Sequence, residues 1–139
     1  RIDSMNPAAD SQTAVANNYD VKYYEKKAGN LSSQDLIESN QVTLQNARVT
    51  AARSLRTQYD TVITARDALD AAQAQLEVET VDLNEAAVKR NIGQGTELEY
   101  QTAENAYIVA KNNVNTQKLQ LLLAIEAYNW NLKGLTTSN

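Results

Sequence analysis

The stretch Ala87-Val88-Lys89-Arg90-Asn91-Ile92-Gly93-Gln94-Gly95-Thr96-Glu97-Leu98-Glu99-Tyr100 decides the fold. It holds the only closely spaced glycines in the chain, Gly93 and Gly95. Gly93 suits the left-handed position just past a helix C-terminus, where a residue without Cβ meets no steric penalty. Thr96 and Glu99 have capping-box spacing, so hydroxyl and carboxylate can each accept a free N–H at the start of the next helix. A turn this short, over 92–95, predicts that the helices on either side run antiparallel.

Downstream, a helix is predicted from Thr96 to Lys133, ending at Gly134. Tyr100, Tyr107, Val114, Leu121 and Tyr128 recur at heptad spacing, beside the small or polar Ala103, Ala110, Gln117 and Ala124. Leu135–Asn139 reads as a short frayed tail. Upstream, no Gly or Pro interrupts the chain between Ser32 and Asn91. One helix over 32–91 would be about 90 Å long at 1.5 Å per residue. Its apolar series is Ile37, Leu44 and Ala51, then Leu55, Val62, Leu69, Leu76 and Leu83. Heptad steps joined by one step of four make a coiled-coil seam with a stutter. Ala47, Arg48, Ala65, Ala72 and Ala86 lie beside it and allow close backbones. Ser32 with Asp35 has capping-box spacing for its start, although Glu or Gln is preferred at the second position.

Before this helix, Arg1–Ser11 reads as a loose lead-in containing Asn6-Pro7, and a short helix is predicted over 12–27. Val15, Tyr19, Val21 and Tyr23 are its apolar positions, two lysines in its last turn suit the helix dipole, and Ala28-Gly29-Asn30 stops it. The lengths predict an all-α layer. The short first helix and the last helix stack end to end, both antiparallel to the long central one, as a long coiled-coil-like hairpin. So thin a layer buries little by itself, and further subunits or a second repeat are expected to cover its other face.

Composition narrows the function. Aromatic content of 6% and the absence of Phe argue against a thick core. The formal charge of −4 argues against a nucleic-acid or anionic-membrane surface, for which a basic patch would supply the affinity. Cys and His are absent, which removes disulfides, thiol nucleophiles, the usual zinc ligands and the usual general base. No catalytic, metal or cofactor site is therefore expected, and the chain does not read as an enzyme. The carboxylate pairs Asp67/Asp70 and Glu77/Glu79 read as solvated faces or as ion pairs with nearby Arg and Lys. The longest apolar run, Leu121–Ile125, is far short of the roughly 20 residues that span a membrane and reads as a core stripe. No signal peptide opens the chain, so any export signal is expected to have been removed or left out of it.

Several segments together resemble the helical repeat of TolC-like outer-membrane efflux proteins. They are Ala87 to Thr96, Leu98-Glu99-Tyr100, Ala103-Glu104-Asn105-Ala106-Tyr107, Ala110-Lys111-Asn112-Asn113 and Leu122 to Leu135. Ala47-Arg48, Leu55-Arg56, Tyr59, Ala65, Leu69 and Ala72 are similar to that family's long descending helix, and Ala16-Asn17-Asn18-Tyr19-Asp20-Val21 to its short opening helix. The likeness covers most of the chain, in family order. Ala28–Leu31 holds no membrane strand, so the chain looks like either a barrel-less relative or one whose strands have been removed, with one repeat where a family subunit has two.

The resemblance implies a tunnel element of an efflux or type I secretion channel in the periplasmic part of an outer-membrane assembly. It implies two partners: a periplasmic adaptor (membrane fusion) protein, and a further copy or a second helical repeat. Ile92, Gly93, Gln94, Gly95 and Thr96 would be the docking tip, and Glu99 would form an acidic constriction at the entrance. The family's second acidic position falls on Thr102, and Arg90, the other constriction candidate, replaces an aromatic residue before the turn. Plainer readings stand beside these. Any tight turn needs Gly93 and Gly95, Glu99 completes a capping box, Tyr100, Tyr107 and Tyr128 fill a seam rather than form a ligand-stacking ladder, and Trp130 near a helix end packs rather than marks a membrane-proximal rim. The competing function is a coiled-coil adaptor or scaffold unrelated to export.

Overall fold

The computed structural model describes residues 2–135; Arg1 and residues 136–139, most of the expected frayed tail, lie outside the described residues. Every regular element among them is helical: a 3₁₀ turn Ile2–Ser4, then α1 (Pro7–Asn17), α2 (Tyr19–Ala28), α3 (Gln34–Asn91) and α4 (Glu97–Leu132). The α3 helix packs extensively against α4, as the glycine turn and the seams predict. The chain divides into two compact units. One comprises α1, α2, α3 as far as Val62 and α4 from Ala124; the other runs from Ile63 to Leu123.

In the first unit the lead-in is more ordered than its sequence suggests. Asn6-Pro7 opens α1: the Asn6 side-chain oxygen accepts from the N–H groups of Ala8 and Ala9 at 3.1 and 3.3 Å. Pro7 at the first helical position lacks a donor that would be unsatisfied there anyway. The Asp10 carboxylate accepts the Asn6 N–H at 3.1 Å. The single helix expected over 12–27 is two helices, broken at Asn18, whose ψ of 131° is not helical. Its buried side chain accepts from the N–H groups of Asp20 and Val21 at 2.9 and 3.2 Å, so the break leaves few orphan donors. At the start of α3 the cap is Ser33 rather than Ser32: its hydroxyl accepts the Leu36 N–H at 3.2 Å. Asp35 closes no box there; it lies in the first turn, where its charge suits the dipole.

The break at Asn18 sits where α4 ends. Gly134, at φ +85°, closes α4 with a Schellman motif: its own N–H bonds the Asn131 carbonyl and the Leu135 N–H bonds that of Trp130. A Cβ on Gly134 would stand 2.0 Å from the Asn17 carbonyl oxygen. Asn17 in turn donates its side-chain amide to the Leu132 carbonyl at 2.9 Å. Beyond this junction α2 lies along α3, where the Asn40 amide donates to the Tyr24 carbonyl at 3.1 Å and Arg48 pairs with Glu25 at 3.0 Å. End-to-end stacking with α4 therefore belongs to α2. The α1 helix lies beside the last turns of α4, where the Tyr128 hydroxyl donates to the Asp10 carboxylate. Tyr128 is also packed 6.3 Å from the Tyr59 ring, and Asn131 donates to Ser54 at 2.6 Å, fixing α4 on α3. Burial, reinforced by the neighbouring Asp10 carboxylate, pushes the Tyr128 hydroxyl well above its ordinary pKa.

In the second unit the predicted seams face each other. Leu69, Leu76 and Leu83 on α3 and Tyr100, Tyr107 and Leu121 on α4 are half-buried, and among the described residues only Ala72, Ala110 and Val114 are buried. Two helices alone cannot enclose a leucine, so this is a seam and not a core.

Candidate functional site

The turn of the second unit is built from local chemistry. Gly93 takes φ +77°, with open space around the position of a Cβ. Its N–H bonds the Arg90 carbonyl at 3.2 Å and the Gln94 N–H bonds that of Lys89 at 2.8 Å, a complete Schellman motif. The capping box then forms in both directions: the Thr96 N–H donates to the Glu99 carboxylate at 2.9 Å and the Glu99 N–H to the Thr96 hydroxyl at 3.1 Å. Gly95 has little room, since a Cβ there would meet the Lys89 Cβ at 3.1 Å. The turn is thus pinned on both sides, and its apolar residues project: Ile92 is 61% exposed and Leu98 72%.

The two constriction candidates both have partners inside the chain. Glu99 is held by the box, at the edge of a shallow recess lined also by Asp82, Glu85, Lys89 and Gln94. Arg90 lies over the Tyr100 ring, 3.6 Å from its centre, and pairs with Glu97 at 3.5 Å. Arg90 is therefore a brace across the base of the turn. In the recess Lys89 and Glu85 pair at 2.7 Å. Their mutual hydrogen bond, and then their opposite charges, lower the Glu85 pKa and raise that of Lys89. Among the described residues no group of three or more Asp, Glu, His or Cys is placed to hold a metal ion, and no helix is long and apolar enough to cross a membrane.

A second feature went unread in the sequence. Ala71, Ala74, Val78, Val81, Val88 and Ile92 are all exposed. With Glu85 they alternate in steps of three and four, the a/d spacing of a coiled coil. This ladder is offset by two residues from the inner seam at Leu69, Ala72, Leu76 and Leu83. At 100° per residue the offset is about 200°, so α3 carries two a/d ladders on opposite faces. The outward edge of α4 bears Leu98, Val109, Leu119 and Leu123, exposed by 50 to 72%. The run Leu121–Ile125 is accordingly not a core stripe: Leu122 and Leu123 are about half exposed, while Leu121 and Ala124 face inward. Trp130, in the first unit, is likewise half exposed, with Lys133 over its ring. The signal for the outer ladder was present as spacing, but alanine and valine read as filler beside a leucine seam.

No protein-family model, curated protein or solved structure matches this chain.

Proposed function

We propose that the chain is a non-catalytic wall element of an α-helical conduit of the kind TolC-like outer-membrane efflux and secretion proteins build. In this reading its tip docks a hairpin of a periplasmic adaptor (membrane fusion) protein, in the periplasmic part of the cell envelope. One observation carries the reading: the two a/d ladders on opposite faces of α3 in the second unit. A helix in an isolated antiparallel coiled coil uses one apolar seam. A helix in a curved wall has a neighbour on each side and uses two. The scaffold alternative accounts for the inner seam and leaves the outer ladder in water, where a contiguous apolar stripe marks an interaction surface.

The tip supports the docking part. The Schellman motif and the capping box fix the backbone of 92–96, so a partner orders little chain on binding. Gly93 presents bare backbone, and Ile92 and Leu98 flank it with exposed apolar surface. In a ring, Glu99 carboxylates from several hairpins would gather at the entrance, favour cations and repel one another. Arg90, braced against Tyr100, would stiffen the hairpin base.

The test is site-specific photocrosslinking from Gln94 in cells that contain candidate adaptors, with exposed Asn113 as the control position. Crosslinks to an adaptor hairpin from position 94 and not from 113 are expected. Absence of tip-specific crosslinks refutes the docking role.

A further inference from the structure

We infer that the outward face of α2 lies against an anionic lipid bilayer, its lysines on headgroup phosphates and its tyrosine rings at the interface. This contact belongs to the first unit and does not rest on the conduit reading, whose partners are an adaptor and further hairpins.

Helical spacing gathers the face. Tyr19, Lys22, Tyr23 and Lys26 follow in steps of three, one and three, so at 100° per residue they share about 100° of arc, with Lys27 at its edge. Tyr19 is 73% exposed and Tyr23 51%, and all three lysines are exposed. Val21, the buried residue of the helix, points the other way. The acids of α2 are turned aside as well. Glu25 pairs with Arg48 of α3, and Asp20 lines a groove with Thr43 and Asn46 of α3. The outward arc is therefore basic and aromatic, with no carboxylate on it.

The needs of the fold do not account for this arc. Among the described residues Lys22, Lys26 and Lys27 have no ion-pair partner, whereas Arg48, Arg56, Arg66, Lys89 and Arg90 each have one. The helix dipole explains Lys26 and Lys27 in the last turn. It explains neither Lys22 nor the two exposed tyrosines beside them.

The chemistry of the face selects its partner. The chain carries −4 overall, so attraction to an anionic surface has to be local, and here it is. A convex helix face cannot enclose one anion, but a plane of headgroup phosphates meets all three ammonium groups at once. Lysine lays its methylene stem on apolar surface and keeps its charge among the headgroups, and tyrosine settles with its ring at the same level. A protein partner fits less well, because protein interfaces favour arginine and are depleted in lysine. All three cations on this face are lysine. Each lysine near an anionic leaflet strengthens binding about five-fold, so three give about 100-fold over a neutral surface.

The test is co-sedimentation of the whole chain with vesicles of phosphatidylcholine alone, and of phosphatidylcholine mixed with an equal part of phosphatidylglycerol. At low salt the mixed vesicles are expected to bind about 100-fold more tightly, a preference that falls as salt screens the charges. K22Q/K26Q changes exposed residues, should keep the helical circular dichroism of wild type, and should lose about 25-fold of that affinity. K111Q/K118Q removes the same charge from exposed lysines of α4 and should bind like wild type. Y19S/Y23S leaves the charge unchanged and should bind the mixed vesicles more weakly. A wild type without preference for the mixed vesicles, equal losses from the two lysine pairs, or undiminished binding by Y19S/Y23S overturns the inference. None of these outcomes bears on tip crosslinking from position 94, so the conduit reading stands or falls separately.

Discussion

Replacing Gly134 with alanine tests the junction that organises the first unit. The new Cβ would lie 2.0 Å from the Asn17 carbonyl oxygen, 2.5 Å from its carbon and 3.0 Å from the Asn18 nitrogen. All three are backbone atoms, so relief requires moving the α1–α2 break away from α4. That movement also strains the Asn17 to Leu132 hydrogen bond at 2.9 Å. Holding alanine at φ +85° costs about 1–2 kcal/mol. Overpacking adds about 1–3 kcal/mol and the lost hydrogen bond about 1 kcal/mol, for a total of about 3–6 kcal/mol. Gly93→Ala is the internal control: φ is +77° but nothing lies within 4 Å, so only the conformational cost of about 1–2 kcal/mol applies. Asparagine sharpens the comparison, since it tolerates the left-handed region but not the close approach. Gly93→Asn should be nearly neutral and Gly134→Asn as damaging as alanine. Urea unfolding followed by far-UV circular dichroism and by the fluorescence of Trp130, the only tryptophan, gives the stabilities. If Gly134→Ala loses no more than Gly93→Ala, the junction argument is wrong.

Tyr128→Phe removes the hydroxyl bond to Asp10 and should cost about 1.5–3 kcal/mol, as hydrogen bonds to charged groups do; Trp130 fluorescence during thermal unfolding reports it. The same variant has a pH signature. Tyr128 is raised from 10.0 in the fold, so its contribution is complete below pH 10 and is lost as the pH climbs beyond it. The difference in melting temperature between wild type and Tyr128→Phe should therefore shrink above pH 10, and a constant difference would contradict the burial of that hydroxyl. Thr96→Ala removes one arm of the capping box and should cost about 1 kcal/mol, with faster hydrogen exchange at the Glu99 amide. Glu99→Gln keeps the box, since glutamine serves equally, and should leave stability within about 0.5 kcal/mol. If the chain assembles into a channel as proposed, a cation preference that survives Glu99→Gln would make Glu99 a cap and not a constriction.

The parts legible in the sequence are those fixed by chemistry within a few residues. Gly93, Thr96 and Glu99 form the turn their identities predict, because the groups that satisfy one another lie at most three residues apart. The seam on α3 was legible because heptad spacing places its members on one face. Asn6-Pro7 was misread because the same pair opens loops and helices alike, and only the docking of α1 beside α4 selects the helix. Ser32 and Ser33 offer the same hydroxyl, so the cap could not be assigned from composition. The break at Asn18 has a tertiary cause: Gly134 approaches the backbone at Asn17, and nothing near residue 18 announces a contact 116 residues away.

The outer ladder is hard to read in the sequence for another reason: its alanines and valines are indistinguishable from the filler beside the leucine seam. The run Leu121–Ile125 carries a plainer signal. Consecutive residues on a helix point 100° apart, so five in succession reach all the way round it. A helix apolar all round is one with neighbours on more than one side. In the hairpin only α3 lies against this stretch within the second unit, and Leu122 and Leu123 stay half exposed. The same logic applies to α3 at Val78 and Val81, on the far side from Leu76 and Leu83. Both helices are patterned for neighbours that one copy of the hairpin does not provide. The function therefore has to be sought at the edges of the hairpin as much as at its tip.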